Sequence, residues 1–317
     1  MSQWLLREMY AVRNPRGAET AREGVSVLKV ERYVRVQTPE ECVSSLVEFG
    51  PEAVLLAGGT DLIPRLNQGR LSVSTLIDLA FIPGLGTIAR QADGFHIGPM
   101  CRLGILEKDG SLSGALDVLR RGAGHVSSMQ VRNAATLGGN ICNASPAADT
   151  VPGLLVLDAA AYILGKNGTR QVPLDSFFIG PGETVLSHDE LLTGVFIPDP
   201  PPDTGAVYKK YAIRGDCDVS IVGAAAAVTL DTDGKISSAR IALASAGPTP
   251  TRMRCEEQML VGSFPETGLL DEVAAACAVN CRPVTDHRAT MEYRKDMVRV
   301  LVEDALKCAL IACGGNR

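Results

Sequence analysis

Ala53-Val-Leu-Leu-Ala-Gly-Gly-Thr-Asp-Leu62 opens as a continuous apolar run and stops abruptly on two glycines. A short apolar run bounded by turn residues reads as a buried strand. Just upstream, Thr38-Pro39-Glu40-Glu41 carries a capping hydroxyl, a proline suited to the first helical position and two acids that suit the helix dipole. That helix runs through Val43, Leu46 and Val47 to Gly50. Helix, buried strand and glycine turn therefore follow one another. Without a Cβ, Gly58 and Gly59 let successive backbone N–H groups face one point and form an anion-binding concavity, to which Thr60 and Asp61 add side-chain contacts. Taken alone, the motif is more often an ordinary turn than a ligand site.

Working outward, Leu76–Leu79, Gly94–Ile97 and Ala161–Leu164 are strand-length apolar pieces, and Asn167-Gly168 is a hairpin-turn signal. Mixed α and β structure is expected up to Ile197-Pro-Asp-Pro-Pro-Pro-Asp203, where the prolines forbid helix interior and central strand alike. A domain boundary is expected there. Beyond it, Ala206–Tyr211, Ile221–Leu230 and Ile236–Ala244 read as strands, and residues near 252–261, 268–280 and 289–313 as helices. Strands first and helices afterwards predict a small α+β domain with an antiparallel sheet. The expected division is an extension over 1–31, a first domain over 32–202 and a second over 203–317.

The 317 residues carry 31 basic and 36 acidic side chains, a formal charge of −5, and 46% are hydrophobic against 21% charged. This is a globular composition with room for two cores. No basic run offers the positive footprint that nucleic acid or a membrane surface needs. No window approaches a membrane-spanning length, and the first residues lack the pattern of an export signal. Nine scattered cysteines without a Cys-x-x-Cys suit a reducing compartment, so the cytoplasm is expected. Cys277 and Cys281, one helical turn apart, read as small buried hydrophobes, because no further metal ligands lie near them. His96, His125, His188 and His287 are far apart and are assigned no catalytic role. The phosphate-loop, serine-hydrolase, zinc-protease and dinucleotide fingerprints are missing.

A second unusual stretch is Val131-Arg-Asn-Ala-Ala-Thr-Leu-Gly-Gly-Asn-Ile-Cys-Asn-Ala-Ser-Pro-Ala-Ala-Asp149. A core does not need this composition of small and amide residues. Small residues let a ligand approach the backbone, Asn140, Asn143 and Ser145 supply directional hydrogen bonds, and Asp149 is placed to accept from a sugar-like hydroxyl. Two such turns roughly 80 residues apart suit a diphosphate held between two subdomains. Each N–H to a charged phosphate oxygen contributes roughly 1.5–3 kcal/mol, so several of them dominate affinity without a lysine.

Ala57-Gly-Gly-Thr-Asp61, Gln130-Val-Arg-Asn133, Thr136-Leu-Gly-Gly-Asn140 and Ser145-Pro-Ala-Ala-Asp149 together resemble the FAD-binding medium subunit of the molybdenum hydroxylases, the family of xanthine and carbon monoxide dehydrogenases. The resemblance continues through Phe177–Gly180, Glu190–Leu192 and Tyr208-Lys209 to Arg214. It implies an α+β fold: a vanillyl-alcohol-oxidase-type FAD-binding domain of two α/β subdomains, then a small C-terminal α+β domain with a three-stranded antiparallel sheet. It further implies that the backbone of Ala57, Gly58, Gly59, Thr60 and Asp61 and that of Thr136, Leu137, Gly138, Gly139 and Asn140 hold the FAD pyrophosphate, with Leu55, Leu56 and Leu62 counted among the cofactor-binding residues. Asp149 would lie on the flavin's sugar-like chain, the backbone of Leu191 by the isoalloxazine and Lys209 near the ring's far end, with Asn143 and Ser145 also counted as cofactor-binding.

By the same resemblance the segment Lys209–Ser220, with Arg214, Asp216 and Asp218, lies beside the flavin ring. The family's partners are an iron–sulfur small subunit with 2Fe–2S clusters and a molybdopterin large subunit, assembled as a dimer of heterotrimers. Electrons would reach FAD from the clusters and leave to NAD or another acceptor. No metal site is expected in this chain itself. The alternative reading is a stand-alone flavin-binding reductase or carrier.

Overall fold

The computed structural model describes residues 30–215 and 217–314, so most of the expected N-terminal extension, and Asp216, lie outside the described residues. The chain begins with β1 (Arg32–Arg35), α1 (Pro39–Phe49), β2 (Ala53–Leu56), α2 (Leu62–Asn67) and β3 (Thr75–Asp78). Thr38 caps α1 by accepting from the N–H of Glu41 at 3.1 Å, and the Glu41 carboxylate reaches back to the N–H of Gln37 at 2.7 Å. The three strands form a parallel sheet in the order β1-β3-β2. Its core gathers Val36, Cys42, Val43 and Leu46 against Ile77 and Leu79.

Next come β4 (Ile88–Arg90) and β5 (Gly94–Ile97), followed by five short helices: α3 (Leu103–Leu106), α4 (Asp117–Gly124), α5 (Met129–Arg132), α6 (Leu137–Cys142) and α7 (Val151–Val156). β6 (Ala160–Gly165) and β7 (Gly168–Pro173) form the hairpin that Asn167-Gly168 announces, β8 (Phe178–Gly180) and β9 (Glu183–Thr184) pair with each other, and β10 (Leu191–Pro198) closes the sheet. The order is β4-β5-β10-β6-β7, all antiparallel, with β10 in the centre. Gly194 in β10 is a glycine for a steric reason: a Cβ there would run into the ring of His96 on β5.

After the proline-rich link, β11 (Thr204–Tyr211), β12 (Val222–Leu230), β13 (Ile236–Ala244) and β14 (Thr251–Arg252) form one antiparallel sheet in sequence order. The expected three strands thus gain a fourth. Two residues are too short to show an alternation, and their neighbours Pro248 and Pro250 mask the signal. The helices α8 (Arg254–Leu260), α9 (Thr267–Asn280) and α10 (Met291–Gly314) complete the chain close to where the sequence puts them.

The four consecutive alanines of β12 explain how this sheet is covered. Ala225 and Ala227 join the core that holds α7, whereas Ala224 and Ala226 join the core that holds α10. Strand side chains alternate between faces, so the sheet is sandwiched between helices, and small side chains let both layers approach closely.

Candidate functional site

The site forms where the two glycine turns meet. β2 delivers Gly58 against the backbone of Ala134 and Ala135, where an added Cβ would overlap the carbonyl of Ala134. Gly59 follows with φ +69°, a conformation that favours glycine. On the other side Thr136 caps α6 by accepting from the N–H of Gly139 at 3.1 Å, and a Cβ at Gly139 would lie 3.8 Å from that of Ala57.

Between the turns runs a groove of about 550 Å³. That volume falls within the roughly 300–1,000 Å³ of small-molecule and cofactor sites. Of the expected residues, Leu55, Ala57, Gly58, Gly59, Thr60, Asp61, Leu62, Thr136, Gly139, Asn140 and Asn143 line it.

Among the described residues, the N–H groups of Gly58, Gly59, Thr60 and Asp61 meet no acceptor. They are the donor array that an anion needs. The second turn differs from expectation. There Leu137 donates its N–H to Cys101 at 2.9 Å, Gly138 to Pro99 at 2.8 Å, Gly139 to the Thr136 hydroxyl and Asn140 to the Thr136 carbonyl at 2.9 Å. Capping and a bridge to Cys101 occupy these donors, so this turn contributes its closeness and the Asn140 side chain. Asn140 lines the groove, and its Oδ1 accepts from the Thr150 hydroxyl at 2.6 Å.

The other expected residues sit outside the groove. Leu137 is wholly buried, Gly138 is packed on Pro99, and Leu56 lies under Gly59. Ser145 accepts from the N–H of Ala147 at 3.2 Å and so closes a turn. Leu191 is buried in the core of the first sheet, its backbone paired with Leu164. Lys209 points to the far face of β11 and pairs with Asp304 of α10 at 2.8 Å, because its neighbours Tyr208 and Lys210 take the near face.

Asp149 does not line the groove. Its Oδ1 accepts from the hydroxyls of Tyr208 at 2.6 Å and Ser220 at 2.5 Å, and its Oδ2 from Lys210 at 2.9 Å. These three internal donors fill most, not all, of the roughly four acceptor positions of the carboxylate. Arg214 is exposed and pairs with Asp218 at 2.8 Å.

Sequence reasoning missed Arg65, Leu71, Val126, Ser127, Val131 and Cys142, which complete the walls. Arg65 had a signal: it stands one helical turn beyond Asp61 and so shares its face. Ser127 had none, since its φ of +49° is set by the fold. Burial pushes the Cys142 thiol up to about 12, so this side chain stays neutral at neutral pH. A diphosphate fits the unpaired N–H array with Arg65 beside it, and the apolar Leu71, Val126 and Val131 suit an attached ring. No cluster of three or more His, Cys, Asp or Glu side chains able to hold a metal exists among the described residues.

Comparison with known proteins identifies the family. Residues 28–200 match the FAD binding domain in molybdopterin dehydrogenase, and residues 206–309 match the CO dehydrogenase flavoprotein C-terminal domain. The chain is 32% identical to the xanthine dehydrogenase FAD-binding subunit of Escherichia coli O157:H7 over 90% of its own length and 97% of the relative's. It is 31% identical to the carbon monoxide dehydrogenase medium chain of Hydrogenophaga pseudoflava, over 86% of this chain and 94% of that one. A solved carbon monoxide dehydrogenase structure from Hydrogenophaga pseudoflava superposes with a TM-score of 0.86 at 30% identity, covering 90% of this chain and 98% of that chain. Quinoline 2-oxidoreductase from Pseudomonas putida 86 follows with 0.83 at 26% identity, over 89% and 97%. The chain therefore belongs to the FAD-binding medium subunits of the molybdopterin-dependent dehydrogenases.

Proposed function

We propose that the groove holds the diphosphate of FAD and that the chain is the electron-transfer subunit of a larger complex. The supporting observation is the meeting of the two turns, with four N–H donors left unpaired at Gly58–Asp61. On this reading Gly58, Gly59, Thr60 and Asp61 supply main-chain donors, Asn140 and Asn143 supply amide groups, and Arg65 balances charge. Ser145 and Asp149 along the flavin's chain, Leu191 by the isoalloxazine and Lys209 near the ring's far end are proposed on the family resemblance alone, since none of them lines this groove. FAD, when bound, supplies the ability to take electrons in pairs or singly. The chain's own residues bind, orient and exclude water, and no residue here is proposed to exchange a proton with an organic substrate.

The partners proposed are a small subunit with 2Fe–2S clusters and a large molybdopterin subunit, in a dimer of heterotrimers. Electrons would pass from the clusters to FAD and on to NAD or a similar acceptor. Nine free cysteines support work in a reducing compartment such as the cytoplasm. No helix among the described residues is long and apolar enough to cross a membrane.

The test is purification from the native host, with flavin, iron and molybdenum measured in the complex and in the isolated chain. The expected result is FAD in this chain and both metals only in co-purifying subunits. A flavin-loaded chain that reduces an acceptor with no co-purifying subunit would favour the stand-alone reductase.

A further inference from the structure

Gln130-Val-Arg-Asn133 puts only Val131 on the groove wall, yet its Arg132 reaches back to two other residues that line the groove. Arg132 ends α5, and its Nη1 donates to the carbonyl of Val126 at 3.3 Å and to that of Ser127 at 2.9 Å. These carbonyls belong to the two peptide planes that flank the Cα of Ser127. The φ and ψ of Ser127 are the rotations between those planes, so one donor atom shared by both carbonyls fixes the conformation of this residue. That conformation is left-handed, with φ +49°. A serine there is strained, and such strain persists only where the surroundings over-determine it.

Arg132 is itself held in place. Its Nε donates to Glu107 Oε2 at 2.9 Å and its Nη2 to Oε1 at 3.4 Å, a two-pronged pair whose side chains are 14% and 29% exposed. Gly124 of α4 lies against that carboxylate, where a Cβ would come within 3.3 Å of Oε1, and Arg120 donates to the Glu107 carbonyl at 3.2 Å. At the other end of the turn, Lys210 of β11 donates to the carbonyl of His125 at 2.8 Å. Three consecutive carbonyls, those of His125, Val126 and Ser127, are thus each captured by a cation. In a trans peptide the N–H points opposite to the carbonyl, so the N–H groups of Ser127 and Ser128 are turned away from Arg132. Among the described residues neither meets an acceptor. Consecutive N–H groups around a left-handed residue form a concavity for an electron-rich atom.

We propose that Arg132 is a positioning residue: it holds Ser127 left-handed, so that the groove wall at Val126 and Ser127 keeps its shape and the N–H pair of Ser127 and Ser128 is offered to a polar atom of the cofactor. The proposal rests on the reading of the groove as the FAD site. Without Arg132 the turn relaxes, its carbonyls swing apart and the two N–H groups no longer converge. A glycine at position 127 takes a positive φ about as readily as a negative one, so it keeps the turn without the arginine.

The test uses the full deflavinated chain, with FAD added back and affinity read from quenching of flavin fluorescence. Arg132→Met should weaken FAD binding on the order of tenfold, the scale of one unsupported left-handed residue, and should alter the visible circular dichroism of the bound flavin. Ser127→Gly alone should stay within about twofold of the wild type, and combined with Arg132→Met it should bring affinity back to within about threefold and restore the dichroism. A general loss of packing would not be repaired by removing a further side chain. If Arg132→Met fails to fold, Glu107→Gln, which loosens the guanidinium, takes its place with a loss in the same direction and the same rescue. Wild-type affinity in that variant, or a loss that Ser127→Gly leaves untouched, overturns the proposal. Gly58→Ala keeps the two readings apart: FAD lost there but retained in Arg132→Met removes the proposal alone, whereas unchanged affinity in Gly58→Ala removes the groove reading and the proposal together.

Discussion

Single atoms decide whether this groove exists. Gly58 has no room for a Cβ because the carbonyl of Ala134 occupies that space, so Gly58→Ala must push the two turns apart. Forcing a methyl into packed backbone costs about 1–3 kcal/mol. The expected outcome is a soluble protein with a lowered thermal midpoint and at least tenfold weaker FAD binding in a fluorescence titration; unchanged affinity would separate the groove from the flavin. The thiols give a second reading at this scale. Cys217 and Cys255 are exposed, whereas burial holds the Cys142 thiol neutral. Iodoacetamide at neutral pH should label the first two within minutes and spare Cys142, as mapped by peptide mass. Rapid labelling of Cys142 would mean that the groove wall opens. The glycines and Asn140 were legible in the sequence, since each is chosen for a local reason. The internal partners of Asp149 were not, because they lie 59 to 71 residues away and only the packed sheet brings them to it.

At the scale of elements, local chemistry and tertiary context divide the chain. Helix α1 announces itself through Thr38, Pro39 and Glu41, and the hairpin at 165–168 through Asn167-Gly168; both appear at those positions. The five short helices between 103 and 156 were not legible, because small residues and glycines give no sustained period and the surrounding core fixes their path. Removing the cap of α1 by Thr38→Ala should cost about 1 kcal/mol in urea unfolding while leaving FAD affinity unchanged. A loss of flavin would show that α1 supports the groove more directly than its position implies.

The link between α9 and α10 carries a pH signature. Although burial pushes the Asp286 carboxyl up, the N–H groups of Arg288 and Ala289 together with Arg294 hold it well below the usual carboxylate range. A lowered folded-state pKa contributes stability that is present above the ordinary carboxylate value and is lost as pH falls below it. Stability measured between neutral and strongly acidic pH should therefore fall less steeply in Asp286→Asn than in the wild type. Parallel curves would assign the acid sensitivity to other carboxylates.

Across the whole molecule, the question is whether the C-terminal sheet and the flavin region unfold together. Ala225, Ala227 and Ala242 of that sheet share one core with Leu154 and Leu155 of α7, which argues for a single cooperative unit. At the sheet's edge Arg252 reinforces the junction. It grips Glu257 through two bonds of 2.6 and 2.7 Å and reaches across to the Leu155 carbonyl at 3.0 Å and to Asp158 at 2.8 Å. Asp158 is joined from a second strand by Arg240 at 2.6 Å. Both Arg252 and Glu257 are buried, at 6% and 4% side-chain exposure, so each needs the other. Arg252→Met leaves the Glu257 carboxylate buried against only the N–H of Ile241, a loss of about 3–5 kcal/mol by analogy with other broken buried pairs. Adding Glu257→Gln removes the stranded charge and should recover a large part of that loss. Urea unfolding followed by both tryptophan-independent far-ultraviolet dichroism and flavin release should show one coincident transition in every variant, shifted to lower urea in Arg252→Met and partly restored in the double variant. Two separated transitions in the wild type would mean that the shared alanine core does not couple the regions, and the ion cluster at Asp158 would then be the principal tie between them.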